Sequence, residues 1–363
     1  MADYHKLNKV SIDGYKSIES QEVILGDMNV LIGQNGAGKT NFISLFRFLR
    51  NIIDLRLKDT SKKVGAENLL YYGGKTTEQI KISLDFRPNL YQITLQPSRS
   101  DSLIVSREYC GFWGDDYNAP YWGNAIAMSE DESKLSEIAK RDKIAGYVYD
   151  VLKDWRVYHF HDTSESAGVK KYASLADIHF LLEDASNLAA YLFILKETQA
   201  EYYERIVKTV QLVIPFFKDF VLKPNPLNEN TIRLEWQDIF SDKTFTAHEL
   251  SDGSLRFICM ATLLLQKTLP QLILLDEPEL GLHPTAITIL AGLLKKASKR
   301  TQVIVSTQSV SLVNEFDAED IIVVEKEKGA TIFKRLDTKK LESWLNDYSL
   351  GDLWDKNVIG GNP

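Results

Sequence analysis

Residues Met28 to Phe46 read MNVLIGQNGAGKTNFISLF. The apolar run Val30-Leu31-Ile32 predicts a strand. A glycine-rich turn follows, Gly33-Gln34-Asn35-Gly36-Ala37-Gly38-Lys39-Thr40, leading into Asn41. Beyond it Phe42, Phe46, Leu49 and Ile53 recur at helical spacing. Strand, glycine turn and helix in that order, with the spacing G-x-x-x-x-G-K-[ST], form the phosphate-binding loop pattern.

The residue types follow from the ligand's chemistry. A triphosphate tail is a dense negative charge that must be wrapped by donors. Glycines admit backbone dihedrals closed to other residues, so successive N–H groups can turn inward. The helix beyond presents its free N–H groups and positive dipole end to the same phosphates. Lys39 reaches the outer phosphates as a mobile charge, and Thr40 offers a hydroxyl to Mg²⁺.

Several classes are excluded or disfavoured. The chain has 363 residues, 44% hydrophobic and 26% charged, which is ordinary globular composition with room for a sizeable core. Met1 to Lys9 is polar and no apolar run is long enough to span a bilayer, so a cytoplasmic protein is expected. Cys110 and Cys259 form no metal-spaced pair and fit a reducing interior. A net charge of −7 disfavours nucleic-acid binding through the overall field. The run Leu294-Lys295-Lys296-Ala297-Ser298-Lys299-Arg300 reads either as a local basic patch or as a helix end whose cations complement the dipole.

Along the chain, residues 6–32 predict two strands feeding the phosphate-loop strand. The phosphate-loop helix extends to about Leu57, and a polar stretch runs from Lys58 to Asn68. Ile80 to Phe86 and Leu90 to Leu95 alternate with period two and predict a hairpin, with a third strand at Leu103 to Val105. An aromatic, glycine-rich stretch includes Tyr109 to Gly114 and Tyr117 to Trp122; Ser129 to Lys143 reads as helical. A strand is expected at Val157 to His161, helices over 175–221, and strands at Thr231 to Trp236 and Phe245 to Ala247. This gives three regions: an N-terminal lobe over 1–105, a mostly helical insertion over 106–225, and a C-terminal lobe over 226–363. His159 and His161 read as structural, since no third metal ligand accompanies them.

The second chemical element is Leu272-Ile273-Leu274-Leu275-Asp276-Glu277. A wholly apolar strand ending in two acids fits the centre of a parallel sheet, whose carboxyl end opens on the ligand crevice. Asp276 is suited to hold Mg²⁺ through a water, and Glu277 to orient and deprotonate an attacking water. Ser251 and Gly253, in Leu250-Ser251-Asp252-Gly253-Ser254-Leu255-Arg256, stand at a helix start. There Ser251 serves as an N-cap and the helix end as an anion site.

LILLDEPELGLHP at Leu272 to Pro284, LSDGSLR at Leu250 to Arg256 and NGAGKTN at Asn35 to Asn41 resemble the ABC-type ATPases, most nearly the RecF, SMC and OLD-family heads. VYHFHDTS at Val157 to Ser164 and SLGDLWDKNVIGG at Ser349 to Gly361 are similar to the same group. The resemblance implies an α/β ABC-ATPase head. Its central, mostly parallel sheet is flanked by helices, with an antiparallel β region and a helical insertion. It implies ATP and Mg²⁺ as ligands and a head-to-tail homodimer, with the Ser251–Gly253 signature of one protomer contacting ATP on the other. Glu279 to His283 matches the loop that crosses the dimer seam, although His283 reads equally well as a helix-start residue. Thr307-Gln308-Ser309 stands where the family usually has a γ-phosphate-sensing histidine. Glutamine can donate there but cannot become charged. Lys16, before Ser17, resembles a position that approaches phosphates or ribose.

From this resemblance the chain is expected to be an ATPase that gates a separately encoded effector, a nuclease in antiphage defence. The alternative is a RecF- or SMC-like repair ATPase that binds DNA directly, and a third reading is a scaffold that scarcely hydrolyses ATP. No membrane partner is expected.

Overall fold

A computed structural model describes residues 6–114, 116, 118–176 and 179–361. The chain divides into two compact units. One comprises Met1–Arg156, Pro270–Ile273 and Asp317–Pro363; the other comprises Val157–Leu269 and Leu274–Phe316.

In the first unit the strand Met28–Ile32 is buried along its whole length, as its unbroken apolar sequence requires. It pairs in parallel with Ile321–Glu327, which turns back antiparallel into Ala330–Arg335. The helix Lys39–Ile53 follows the glycine loop and buries Phe42, Phe46, Leu49 and Ile53. Phe46 meets Trp155 at 5.2 Å and Phe42 meets Phe333 at 5.0 Å, ring centre to ring centre. Each such side chain contributes roughly 1.5–3 kcal/mol through burial, which fixes the helix axis behind the loop.

An antiparallel sheet forms the rest of this unit, in the order Ile18–Ile24, Lys9–Tyr15, Ile80–Asp85, Asn89–Pro97 and Leu103–Phe112. The expected hairpin is present, with Ile82 opposite Ile93 and Leu84 opposite Tyr91. The third strand is longer than its apolar start suggests. It carries Glu108 at full burial and pairs with both Tyr121–Trp122 and Ala127–Glu130.

Two local expectations differ from the structure. The polar stretch after the phosphate-loop helix is itself helical, as Leu57–Val64 and Ala66–Leu69. Its first turn is capped from far along the chain: Glu132 accepts from the backbone N–H groups of Leu57 at 2.8 Å and Lys58 at 3.0 Å. The region read as a helix over Ser129 to Lys143 instead holds the end of the strand Ala127–Glu130 and a short turn of helix, Leu135–Ile138. The main helix there is Lys143–Lys153, begun by Asp142, which accepts from Ala145 N at 2.8 Å. Tyr117, in the aromatic stretch, lies outside the described residues, as do residues 177 and 178 of the helical expectation.

The second unit holds the helices Leu188–Thr198, Ala200–Val213, Asp252–Leu265 and Pro284–Ser298. It also holds the strand Gln302–Thr307, beside the strand Leu272–Asp276 in which the chain passes between units. A small sheet, Phe217–Phe220 with Glu235–Asp238 and Thr244–Thr246, is filled by Trp236 stacked on Phe217 and Phe245. Among the described residues no helix is long and apolar enough to cross a membrane.

Glu108 shows how polar chemistry is accommodated in the antiparallel sheet. Burial pushes its carboxyl up, against hydrogen bonds from Ser133, Tyr91 and the Lys134 backbone that pull it down. Tyr91 Oη and Ser133 Oγ each donate to Oε1 at 2.6 Å, and Lys134 N donates to Oε2 at 3.0 Å. Glu108→Ala leaves three donors without an acceptor and should cost roughly 3 kcal/mol. Urea unfolding checks this through a lowered midpoint at unchanged slope.

Candidate nucleotide site

The phosphate loop in the first unit is shaped by the segment Ala330–Arg335. Gly38 has φ of 121°, and a Cβ there would lie 2.2 Å from Thr331 Oγ1. Thr331 Oγ1 donates to the Ala37 carbonyl at 2.8 Å, and Ser17 Oγ lies 2.8 Å from the same hydroxyl. Asn41 Nδ2 donates to Ser17 Oγ at 2.7 Å. Residues 17, 37, 41 and 331 are thus tied together through the Thr331 and Ser17 hydroxyls.

Gly38 is the N-cap of the helix Lys39–Ile53 and supplies no side-chain cap. This leaves the helix end suited to an anion. Lys39 is buried, and its ammonium is held over the loop by the carbonyls of Gly33 and Gln34, the latter at 3.0 Å. Gln34, Asn35, Gly36 and Thr40 are exposed, whereas Gly33, Ala37 and Gly38 are buried. Lys16 has φ of 50°, and its Nζ donates to Ser44 Oγ at 2.8 Å. Burial, with Arg47 nearby, pulls the Lys16 ammonium below the usual lysine range.

In the second unit the acidic strand end is held by its neighbour strand. Glu277 has left-handed backbone, φ 43°, which costs on the order of 1 kcal/mol. Its N–H donates to the Ser306 carbonyl at 2.8 Å, and Ser306 Oγ donates to Asp276 Oδ1. Gln308 Nε2 donates to Glu277 Oε1, and Thr307 Oγ1 donates to Glu279 Oε1. Burial pushes the Glu279 carboxyl up. Asp276, Glu277 and Gln308 are therefore brought together, Asp276 and Glu277 being held by Ser306 on the strand Gln302–Thr307 and by Gln308 just beyond it.

His161, read from sequence as structural, touches this cluster through the backbone. Its Nε2 donates to the Asp276 carbonyl at 2.6 Å, which puts the ring proton on that nitrogen. Only the tertiary fold brings residues 161 and 276 together. Among the described residues no group of three metal-ligating side chains is present.

Ser251 caps the helix Asp252–Leu265 by accepting from Ser254 N. A Cβ on Gly253 would come 2.2 Å from the Gly281 carbonyl oxygen, so only glycine permits this helix start to lie against the Glu279 to His283 loop. Arg256, one turn on, fastens the arrangement. It donates to the carbonyls of Leu280 at 2.9 Å, His161 at 2.8 Å and Phe160 at 3.3 Å. His283 caps Pro284–Ser298, accepting from Thr285 N at 3.4 Å.

Mg²⁺ prefers oxygen ligands, keeps several waters and takes one or two carboxylates together with substrate phosphates. In the first unit the exposed Thr40 hydroxyl is an oxygen donor of that kind, and in the second unit, taken by itself, the Asp276 carboxylate is another.

Residues 28–314 match the family described as "AAA domain, putative AbiEii toxin, Type IV TA system". The chain is similar to the Old nuclease of Escherichia phage P2, 24% identical over 386 residues. That match covers 93% of this chain and 62% of the relative, so the chain spans less than two thirds of that protein's length. Its fold is similar to an SMC head bound to the C-winged helix domain of ScpA, with a TM-score of 0.60 at 16% identity, covering 93% of this chain and 99% of that one. It is also similar to an SMC head with an extended coiled coil bound to the C-terminal domain of ScpA, derived from Pyrococcus furiosus. There the TM-score is 0.55 at 15% identity, covering 94% and 98%. The fold is therefore the α/β head of ABC-type ATPases expected from the sequence, and the chain belongs to this AAA-domain family as an ATPase of the RecF, SMC and OLD group.

Proposed function

We propose that the chain binds ATP with Mg²⁺ on the loop Gly33 to Asn41 and works as an ATP-sandwich homodimer in the cytoplasm. The dimer gates a separate effector, a nuclease, in antiphage defence. The observation that carries the nucleotide reading is Lys39, held over the loop by the Gly33 and Gln34 carbonyls at an uncapped helix start. The effector's identity as a nuclease is drawn from the name of the phage Old nuclease, and the defence reading from the resemblance to OLD-like heads.

Each residue has a distinct task. Gly33, Gln34, Asn35, Gly36, Ala37 and Gly38 wrap the phosphates with backbone N–H groups. Lys39 neutralises their outer charge, Thr40 and Asp276 are each oxygen donors that would suit Mg²⁺, and Asn41 and Lys16 line the inner end. Bound Mg²⁺ supplies charge neutralisation on the phosphates. Glu277 orients the attacking water and takes its proton. Gln308 holds the Glu277 carboxylate by a donor that does not change charge with pH. Ser251 and Gly253 of one protomer meet the nucleotide held by the other.

The SMC-head fold favours a second reading, a repair ATPase that grips DNA directly. The net charge of −7 weighs against it.

Lys39→Ala should abolish ATP binding, and calorimetric titration showing unchanged affinity would remove the loop assignment. Glu277→Gln should bind ATP yet lose turnover by about 100-fold or more, accumulating as a dimer by light scattering; wild-type turnover would exclude Glu277 as the base. Recovered from its host with ATP and Mg²⁺, that variant should carry a stoichiometric protein that survives nuclease treatment. Recovery of DNA alone would shift the reading to repair. Ser251→Arg should leave ATP binding intact and stop hydrolysis, and persisting hydrolysis at low protein concentration would argue against a shared site.

A further inference from the structure

Two cavities flank the phosphate loop within the first unit. One, of about 470 Å³, is lined by Gln34, Gly36 and Ala37 together with Glu325, Asn357 and Gly361. The other, of about 740 Å³, is lined by Lys16, Ser17, Asn41, Tyr71, Tyr72 and Gly329 among others. Both lie in the range of small-ligand sites.

The loop's polarity tells them apart. A phosphate-loop lysine reaches the outer phosphates, while the backbone of loop and helix start cradles the inner ones. Lys39 Nζ sits at the Gly33 and Gln34 carbonyls, which marks the outer end beside the smaller cavity. The inner phosphate lies toward the first helical turn, and Asn41 of that turn lines the larger cavity. The group attached to the inner phosphate emerges there.

Tyr72 is the unusual residue of this cavity. Its side chain is 66% exposed, so burial does little to hold it. Its backbone is left-handed, φ 53°, a conformation uncommon for a bulky residue and often a mark of function. The conformation is enforced from both sides. Lys16 N donates to the Leu69 carbonyl at 2.9 Å and Tyr71 N to the Gly14 carbonyl at 3.0 Å, joining this segment to the Lys16 turn. After Tyr72, Gly74 N donates to Glu67 Oε2 at 2.7 Å. The Tyr72 hydroxyl rests on the turn at Gly329, where a Cβ would come within 2.4 Å of it. Tyr71 packs edge-on against the Tyr72 ring at 4.6 Å, steadying it.

We propose that this cavity receives the nucleoside half of the bound nucleotide, with the exposed Tyr72 ring stacking on its base. The proposal rests on the nucleotide reading above and names the residue that recognises the base. Stacking tolerates any base, so Tyr72 supplies affinity for a nucleotide over a bare polyphosphate.

The test is calorimetric titration of ADP and of inorganic pyrophosphate, each with Mg²⁺, into wild type, Tyr72→Ala, Tyr72→Phe and Lys39→Ala. Tyr72→Ala should weaken ADP about tenfold and leave pyrophosphate unchanged, while Tyr72→Phe should retain wild-type affinity for both. Two results would overturn the proposal while Lys39→Ala still loses both ligands: wild-type ADP affinity in Tyr72→Ala, or equal loss of ADP and pyrophosphate there. If wild type binds neither ligand, the underlying nucleotide reading fails and this inference with it.

Discussion

One threonine hydroxyl governs the geometry of the phosphate loop. Thr331 lies nearly 300 residues beyond the loop in sequence, yet its side chain fills the space a Cβ on Gly38 would need and holds the Ala37 carbonyl. Through Ser17 and Asn41 the same hydroxyl reaches the first strand pair and the helix start. A loop that must present several N–H groups to one anion cannot be floppy, because ordering it on binding would consume the affinity it provides. The glycines give the loop its conformations, and Thr331 selects among them.

A comparable economy operates at the acidic strand end. Asp276 ends its strand and Glu277 follows it directly; a strand continued through both would send their side chains to opposite faces. The left-handed turn at Glu277 breaks that alternation, and the Ser306 carbonyl and Gln308 amide hold the result. The Gln308 amide that donates here does not change charge with pH. Arg256 joins the signature helix, the Glu279 to His283 loop and the segment at His161 by donating to three carbonyls. Its guanidinium is received by these three carbonyls and, at 3.5 Å, by the Thr163 hydroxyl, with no carboxylate among these acceptors, so its role is to hold shape.

The sequence by itself determined the elements whose signal is local. The strand Met28–Ile32 and the helices Lys39–Ile53 and Pro284–Ser298 follow from unbroken apolar runs and helical spacing, with Gly38 or Pro284 marking the helix start. The loop's residue types and the acidic strand end were legible for the same reason, since residue type and spacing suffice to state them. Tertiary structure decided what depends on partners distant in the chain. The first turn of the Leu57–Val64 helix is capped by Glu132, 75 residues away, and polar spacing alone gave no sign of it. His161 meets Asp276, and Tyr72 meets Gly329, only because the fold closes loops far longer than any local pattern spans. Hydrophobic periodicity records which face of an element is buried, but not which element buries it. Hydrogen bonds between distant residues leave no periodic trace.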